Sequence, residues 1–367
     1  MSVRFLKSLA AGAVVLASAA LSACGGGGGS SALPSLVPSG TPSSTPPQTL
    51  TAPASSAGSG VYAQLFSSSS PFRTTVGQLK AAGATVLSQS AMSSLWNQGG
   101  VSSQDLGPSS YMFPVYVASS SDPLKTISCT GYGQCNANGM QIHVPGGAQP
   151  EPHADGHIAI IDTEQSVEFD GYQCSVGSST VSCTWGGKYP LGGSGITNSG
   201  SDAVHAGYAA GVMDITAQEL VNGQINHALA VNTACLNNPT VYPADPNNGG
   251  SDAGCGGSGG PSYGQMMHLL MSSSQIAATN HSAECKTILT ALATYGAYTY
   301  DTGNPGLSLV TENALSQSAV GKSSPWVTKI LPDMDAAGEA SGSYWNSCLN
   351  GLSAANFELI QIPAGGY

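Results

Sequence analysis

The sequence predicts a β-rich domain over residues 61–367, a jelly roll or β-sandwich with a few flanking helices. Three observations predict it. Residues 157–173 read H-I-A-I-I-D, T-E-Q-S, V-E-F-D-G-Y-Q, two β-branched and aromatic runs about a four-residue polar turn, which is a hairpin signal. Short apolar runs elsewhere are broken by frequent glycines and prolines, which leaves little room for long helices. Helical periodicity is confined to a few stretches.

Residues 1–23 are read apart from the domain. Arg4 and Lys7 precede an apolar run from Leu9 to Leu21, too short to span a bilayer stably and typical of an export signal. The run ends in Leu21-Ser22-Ala23-Cys24, which resembles the lipobox of bacterial lipoproteins. That resemblance implies cleavage before Cys24 and a lipid on its sulfur, so the membrane is an expected partner through Cys24. It also implies a cell-envelope location, with Gly25 after the cysteine resembling an outer-membrane address. Residues 25–60 are Gly, Ser, Pro, Thr and Ala with almost no charge, a flexible tether with nothing to bury.

Within the domain, Val76–Leu87 is expected as the first helix and Met112–Val117 as the first strand. Asp214–Val231 reads as a helix, with Thr216 and Glu219 spaced as a capping box. Gly223 interrupts it, and Gln224 is an alternative strand start. Residues 236–262 are mostly Gly, Asn, Pro and Ser and are expected to form a long loop. Ile288, Leu289, Leu292 and Tyr295 recur at helical steps within 281–295. Tyr295–Tyr300 then turns strand-like and ends in Asp301-Thr302-Gly303.

Nine cysteines less Cys24 leave eight, an even number that suits disulfides in an exported chain. Sequence neighbours suggest Cys129–Cys135, Cys174–Cys183 and Cys235–Cys255, leaving Cys285–Cys348. No C-x-x-C pair favours zinc instead. Lys and Arg number nine against twenty Asp and Glu, with no basic run, which argues against nucleic acid as a partner. Walker and H-E-x-x-H motifs are both missing, so NTPase and zincin chemistry lose support. No cofactor is implied.

The hairpin carries the candidate chemistry. With the turn at Thr163–Ser166, Asp162 faces Val167, Ile161 faces Glu168, Ala159 faces Asp170 and His157 faces Tyr172. One face then holds Ile158, Ile160, Val167 and Phe169. The other holds His157, Glu168, Asp170 and Tyr172 beside Ala159 and Ile161. Two carboxylates two residues apart on a strand, roughly 6.6 Å between Cα atoms, suit glycosidic cleavage by an acid and a nucleophile or base. Tyr172 and Trp185 are candidate platforms for a sugar ring. The alternative is a solvated strand face with no chemistry. The run His153-Ala154-Asp155-Gly156-His157, if extended, would put His153, Asp155 and His157 on one face as three metal ligands. Asp245-Pro246-Asn247-Asn248-Gly249-Gly250 fails the calcium-loop pattern and is read as a loop. His227, beside apolar residues, reads as a satisfied core histidine, and Asp301 before Gly303 as a turn residue.

Three blocks resemble a family of secreted, largely uncharacterised bacterial proteins: Asp155–Asp170, Ala206–Leu229 and Ile288–Gly303. The resemblance covers about half of the mature chain. It singles out Asp155, His157, Asp162, Glu168, His227 and Asp301, while His153 falls outside its pattern. Thr302 and Ala293 depart from the Asn and Lys expected there. By analogy with polysaccharide-degrading neighbours, the expectation is a lipid-anchored enzyme, a glycan hydrolase or lyase. Glu168, Asp170, His157 and Asp301 are its candidate catalytic residues, and Tyr172, Trp185, Asp155 and His227 would bind the polysaccharide. The alternative is a non-catalytic glycan-binding or adhesion lipoprotein.

Overall fold

The computed structural model describes residues 62–101, 111–132, 135–234, 236–237, 239–247, 259–303, 306–339 and 344–363. The export signal, Cys24, the tether and the Cys235–Cys255 pair lie outside the described residues.

The hairpin forms in the expected register. Strands Ile158–Asp162 and Val167–Tyr172 pair antiparallel, with Ile161 opposite Glu168 and Ala159 opposite Asp170. Asp162 sets the turn: its Oδ1 accepts from the N–H groups of Glu164 and Gln165, each at 3.0 Å. Ser166 takes the left-handed conformation (φ 52°) that closes it. Val115–Ala118 joins one side in parallel and Trp185–Pro190 the other side antiparallel, which makes a four-stranded sheet.

Both faces of the central hairpin are covered. Ile158, Ile160, Val167 and Phe169 pack into one core with Ile127, Ile142 and Val181. Ala159 and Ile161 pack into a second core with Phe72, Tyr189, Tyr208, Val212 and Tyr300. The first core is roofed by another four-stranded sheet, which pairs Leu124–Cys129 with Gln141–His143 and Thr180–Cys183, the last of these also pairing with Ser175–Val176.

A six-stranded sheet completes the fold. Its strands run in the order Thr85–Val86, Phe357–Gln361, Met266–Leu269, Ala297–Asp301, Leu229–Asn232, Ser308–Leu309. The helix Ala283–Thr294 packs on it through Ile288, Leu289, Ala291 and Leu292, as its periodicity predicts. Ser282 caps that helix through the N–H of Cys285. The Thr216–Glu219 capping box is present, but the helix is only Ala217–Asn222 and stops at Gly223 (φ 68°). Val76–Leu87 likewise divides into a helix, Val76–Ala81, and a two-residue strand, Thr85–Val86.

The fold is therefore a mixed arrangement of strands and helices. It departs from a jelly roll, whose strands are antiparallel throughout: Leu229–Asn232 pairs with Ala297–Asp301 in parallel, as do Val115–Ala118 with Ile158–Asp162 and Leu124–Cys129 with Thr180–Cys183. The disulfides Cys129–Cys135, Cys174–Cys183 and Cys285–Cys348 form as expected and are compatible with an extracellular or envelope location. No helix among the described residues is long and apolar enough to cross a membrane.

Candidate functional site

The two hairpin carboxylates are in the interior. Glu168 is 0 % and Asp170 1 % exposed, because the sheet face that carries them lies under the segment 203–213. Glu168 Oε1 accepts from the N–H of Gly211 at 2.7 Å, and Asp170 Oδ2 from the N–H of Ala210 at 2.8 Å. The packing is close, since a Cβ on Gly211 would come 2.5 Å from Glu168 Oε2. The remaining oxygens, Glu168 Oε2 and Asp170 Oδ1, have no other donor. Burial pushes the Glu168 carboxyl up to about 7, and burial with the Glu168 charge raises Asp170 well above the carboxylate range. Asp214, fully buried nearby with neither oxygen paired, is raised in the same way by burial and by Glu168. The polar face expected to meet a glycan is thus sealed. Glu168 and Asp170 fasten a backbone turn and do not line a cleft.

His227 is also interior, 1 % exposed. Its Nε2 meets Glu219 Oε1 at 3.0 Å and its Nδ1 the Ala228 carbonyl at 2.9 Å, so it is a core histidine and does not reach a substrate. Burial disfavours its charged form, but the Glu219 carboxylate outweighs this and its pKa is raised. Asp162, besides capping the hairpin turn, binds the N–H and Nδ1 of His143 at 2.7 and 2.9 Å. Asp245, from the rejected calcium loop, is buried and accepts from the N–H groups of Asn247 and Gly200, each at 2.8 Å.

The remaining sequence-derived residues converge at the open end of the hairpin. Residues 151–157 form a tight loop: Gly156 N–H donates to the His153 carbonyl, Glu151 N–H to the His157 carbonyl, and Gln173 N–H to the Asp155 carbonyl at 2.7 Å. Gly156 has φ 49°, so the stretch turns, and the extended presentation of His153, Asp155 and His157 is not realised. His153 instead places Nδ1 2.9 Å from Glu151 Oε2, and His157 places Nδ1 2.8 Å from the Tyr111 carbonyl. Among the described residues, ligand atoms gather closely enough for a metal only at His281, Cys285 and Glu339, and Cys285 is committed to its disulfide.

Asp301 arrives from the six-stranded sheet. It ends the strand Ala297–Asp301, opposite Asn232 and just past a register shift. Ala206 N–H donates to the Tyr300 carbonyl, which brings His205 alongside. His205 Nδ1 lies 2.7 Å from Asp301 Oδ1, and Thr302 N–H donates to the same oxygen at 2.8 Å. The His205 ring stacks near Tyr263, with centroids 5.9 Å apart. Burial raises the Asp155 carboxyl above its ordinary value. His157 opposes that shift, and Glu151 and Asp301 add to it. Tyr172 is raised by burial and by the Asp155, Tyr132 and Asp301 charges. Asp155, Asp301, His157 and Tyr172 therefore occupy one electrostatic neighbourhood, although 146 positions separate the two aspartates.

An aromatic ledge borders this rim. Tyr172 pairs with Trp185 across strands, and Tyr132, 78 % exposed, meets Trp185 edge-on at 6.0 Å. Tyr111 stacks on His153 at 4.6 Å, and His157 lies between Phe113 and Tyr172. Of four non-glycine residues with left-handed backbone among the described residues, three sit here: Tyr111, Tyr132 and Gln173. Such conformations cost energy and gather at functional sites. A recess of about 400 Å³ lies elsewhere, between Gly223–Asn226 and the helix Ala283–Thr294, and holds none of the sequence-derived residues. Its threonines 290 and 294 bond back to their own helix.

Sequence reasoning missed His205, Tyr111 and Tyr132. His205 had a faint signal, a lone histidine in Asp202-Ala203-Val204-His205 directly before the Ala206–Leu229 block. No family model, curated protein or solved structure matches the chain.

Proposed function

We propose that this chain is an exported, lipid-anchored carbohydrate-active enzyme that hydrolyses a glycan at the Asp155–Asp301 rim. The observation that supports it is that the Asp301 charge acts on a half-buried Asp155 beside an exposed aromatic ledge. Asp155, whose pKa is raised by partial burial, supplies a proton to the leaving oxygen. Asp301 has Oδ1 held by His205 and Thr302, and its Oδ2 faces the reacting carbon or the attacking water. An acid and a second carboxylate in these roles are what glycoside hydrolysis uses. Tyr172, Trp185 and Tyr132 provide flat apolar surface against which sugar rings stack. His157 braces the loop of Asp155 through Tyr111.

The lipobox-like run before Cys24 and the charge-poor composition of residues 25–60 support an envelope enzyme that meets polymers outside the inner membrane. The test is release of reducing ends from a panel of polysaccharides by the purified protein and by Asp155→Asn and Asp301→Asn. Activity lost in both variants supports the reading. Glycan binding with no cleavage product on any polymer rejects it in favour of a binding lipoprotein.

A further inference from the structure

We infer that the thiol form of this chain holds one divalent ion of the zinc class between Cys285, Cys348, His281 and Glu339, at the place that the Cys285–Cys348 disulfide occupies in the oxidised form. None of these residues belongs to the hairpin or to the Asp155–Asp301 rim.

Local structure gathers the ligands. Ser282 caps the helix Ala283–Thr294 and accepts from the N–H of Cys285 at 3.1 Å, which fixes Cys285 in the first helical turn. His281 directly precedes the cap. Glu339 follows a left-handed turn at Gly338 (φ 84°), and its N–H donates to the Met334 carbonyl. One ligand atom from each of His281, Cys285 and Glu339 lies within 4.8 Å of the other two. Cys348 is bonded to Cys285, so its sulfur adjoins the same group. Both cysteines are fully buried. The side chains of His281 and Glu339 are 19 % and 6 % exposed, so entry is from the histidine side.

The donor set suits the ion. Two thiolates, an imidazole and a carboxylate make a tetrahedral set of intermediate softness. The carboxylate is already oriented: Glu339 Oε1 accepts from the N–H of Ser282 at 3.1 Å, and Oε2 from Ser347 Oγ at 2.7 Å. His281 Nδ1 lies 3.1 Å from Glu339 Oε1. The N-terminus of the helix favours the thiolate form of Cys285. Ligand atoms bonded to one zinc ion stand roughly 3.3–3.8 Å apart. A contraction of about 1 Å therefore brings the group into bonding geometry, while the two sulfurs separate from about 2 Å.

The disulfide blocks this set, because its sulfurs carry no thiolate charge. A dithiol gives two electrons and two protons to the S–S bond and closes to a cyclic disulfide, which leaves two thiols. The ion then displaces both thiol protons to solvent. A newly made chain, before oxidation, has the same two thiols without any reductant. Disulfide and ion are thus alternative closures of one loop of 63 positions.

The test adds cobalt(II), a spectroscopic stand-in for zinc, to the full chain, both oxidised and reduced by a phosphine. Wild type is compared with His281→Ala, Glu339→Gln and the double variant Cys285→Ser/Cys348→Ser, which cancels binding by the other reduced cysteines. Reduced wild type is expected to take up one more cobalt than the double variant, with a thiolate-to-cobalt charge-transfer band. Each single variant should weaken that site by about tenfold or more. Zinc should raise the Tm of the reduced wild type more than that of the oxidised chain. Equal uptake by reduced wild type and the double variant overturns the inference, as does equally tight binding by the oxidised chain or by either single variant. If the reduced chain is unfolded without metal, far-UV circular dichroism gives the answer. Zinc that restores the fold of wild type and not of the double variant supports the site, and any other pattern overturns it.

Discussion

Glu168 and Asp170 stand two residues apart on one buried strand, and their carboxyl groups contact each other while accepting the backbone N–H groups of Gly211 and Ala210. One proton held on the pair lets one carboxyl donate to the other. Glu168→Gln, which supplies that proton permanently through its amide, is expected to keep the fold and to leave any glycan turnover within about twofold, because the pair touches no substrate. Far-UV circular dichroism and reducing-end assays check this. Loss of activity in a folded Gln variant contradicts the interior role.

Acidic interiors set the pH dependence of stability. Burial raises Glu168 and Glu312 from an ordinary 4.5 to about 7, and raises Asp170 and Asp214 well above their ordinary 3.8. A folded pKa above the unfolded one means that the folded chain binds more protons between the two values. These groups therefore stabilise most below their unfolded pKa, and that stability is lost as pH rises through about 7. The loss is on the order of 3 kcal/mol for each glutamate. Tm is expected to fall steadily from pH 5 to pH 8, and Glu168→Gln to flatten the slope. A Tm that rises over this range contradicts the prediction.

Substitution of the rim aspartates separates chemistry from folding. Asp155→Asn and Asp301→Asn should each reduce kcat by about 10²–10⁴-fold, the usual scale for a lost acid or base. Their melting temperatures should shift little, since Asp155 is only half-buried. Tyr132→Ala removes an exposed ring and should raise KM with little change in kcat. A variant set with unchanged steady-state kinetics would remove the rim from consideration.

The His227–Glu219 pair is structural, so its loss should show in stability alone. His227→Ala leaves a buried Glu219 without that partner and is expected to cost about 3 kcal/mol. Chemical denaturation of the variant, with its sugar affinity measured alongside, distinguishes this from a binding role.

Reduction of Cys285–Cys348 opens a cross-link spanning 63 positions that ties the helix Ala283–Thr294 to the residue just after Tyr344–Ser347. On a chain-entropy estimate its removal by a double Cys→Ala change costs about 4 kcal/mol. The short clips Cys129–Cys135 and Cys174–Cys183 close far smaller loops and should cost less on removal. Thermal melts of the three double variants test the ranking.

The hairpin register was readable because turn chemistry and a two-residue period leave few options for Asp162 and Val167. Which of its faces meets water was not readable. Glu168 and Asp170 are covered by Ala210 and Gly211, about forty residues further on, and nothing local to the strand reports that cover. The helix at 283–294 was legible from its apolar stripe, whereas the helix from Thr216 was overdrawn because the stop at Gly223 outweighed the periodicity beyond it. Asp155, His157 and Asp301 were singled out from short blocks, but their grouping with His205 depends on a loop docking against Tyr300. The left-handed backbone of Tyr111 and Tyr132 has no sequence signature, since both residue types are ordinary elsewhere in the chain.

The hairpin sheet serves as a wall common to two hydrophobic cores, one built on Ile158, Ile160 and Phe169, the other on Ala159, Ile161 and Tyr189. Neither core can open without stripping one side of the same four strands. Melting is therefore expected to be cooperative across both: one calorimetric peak, with amide protons of Ile158–Asp162 and Val167–Tyr172 exchanging only through global unfolding.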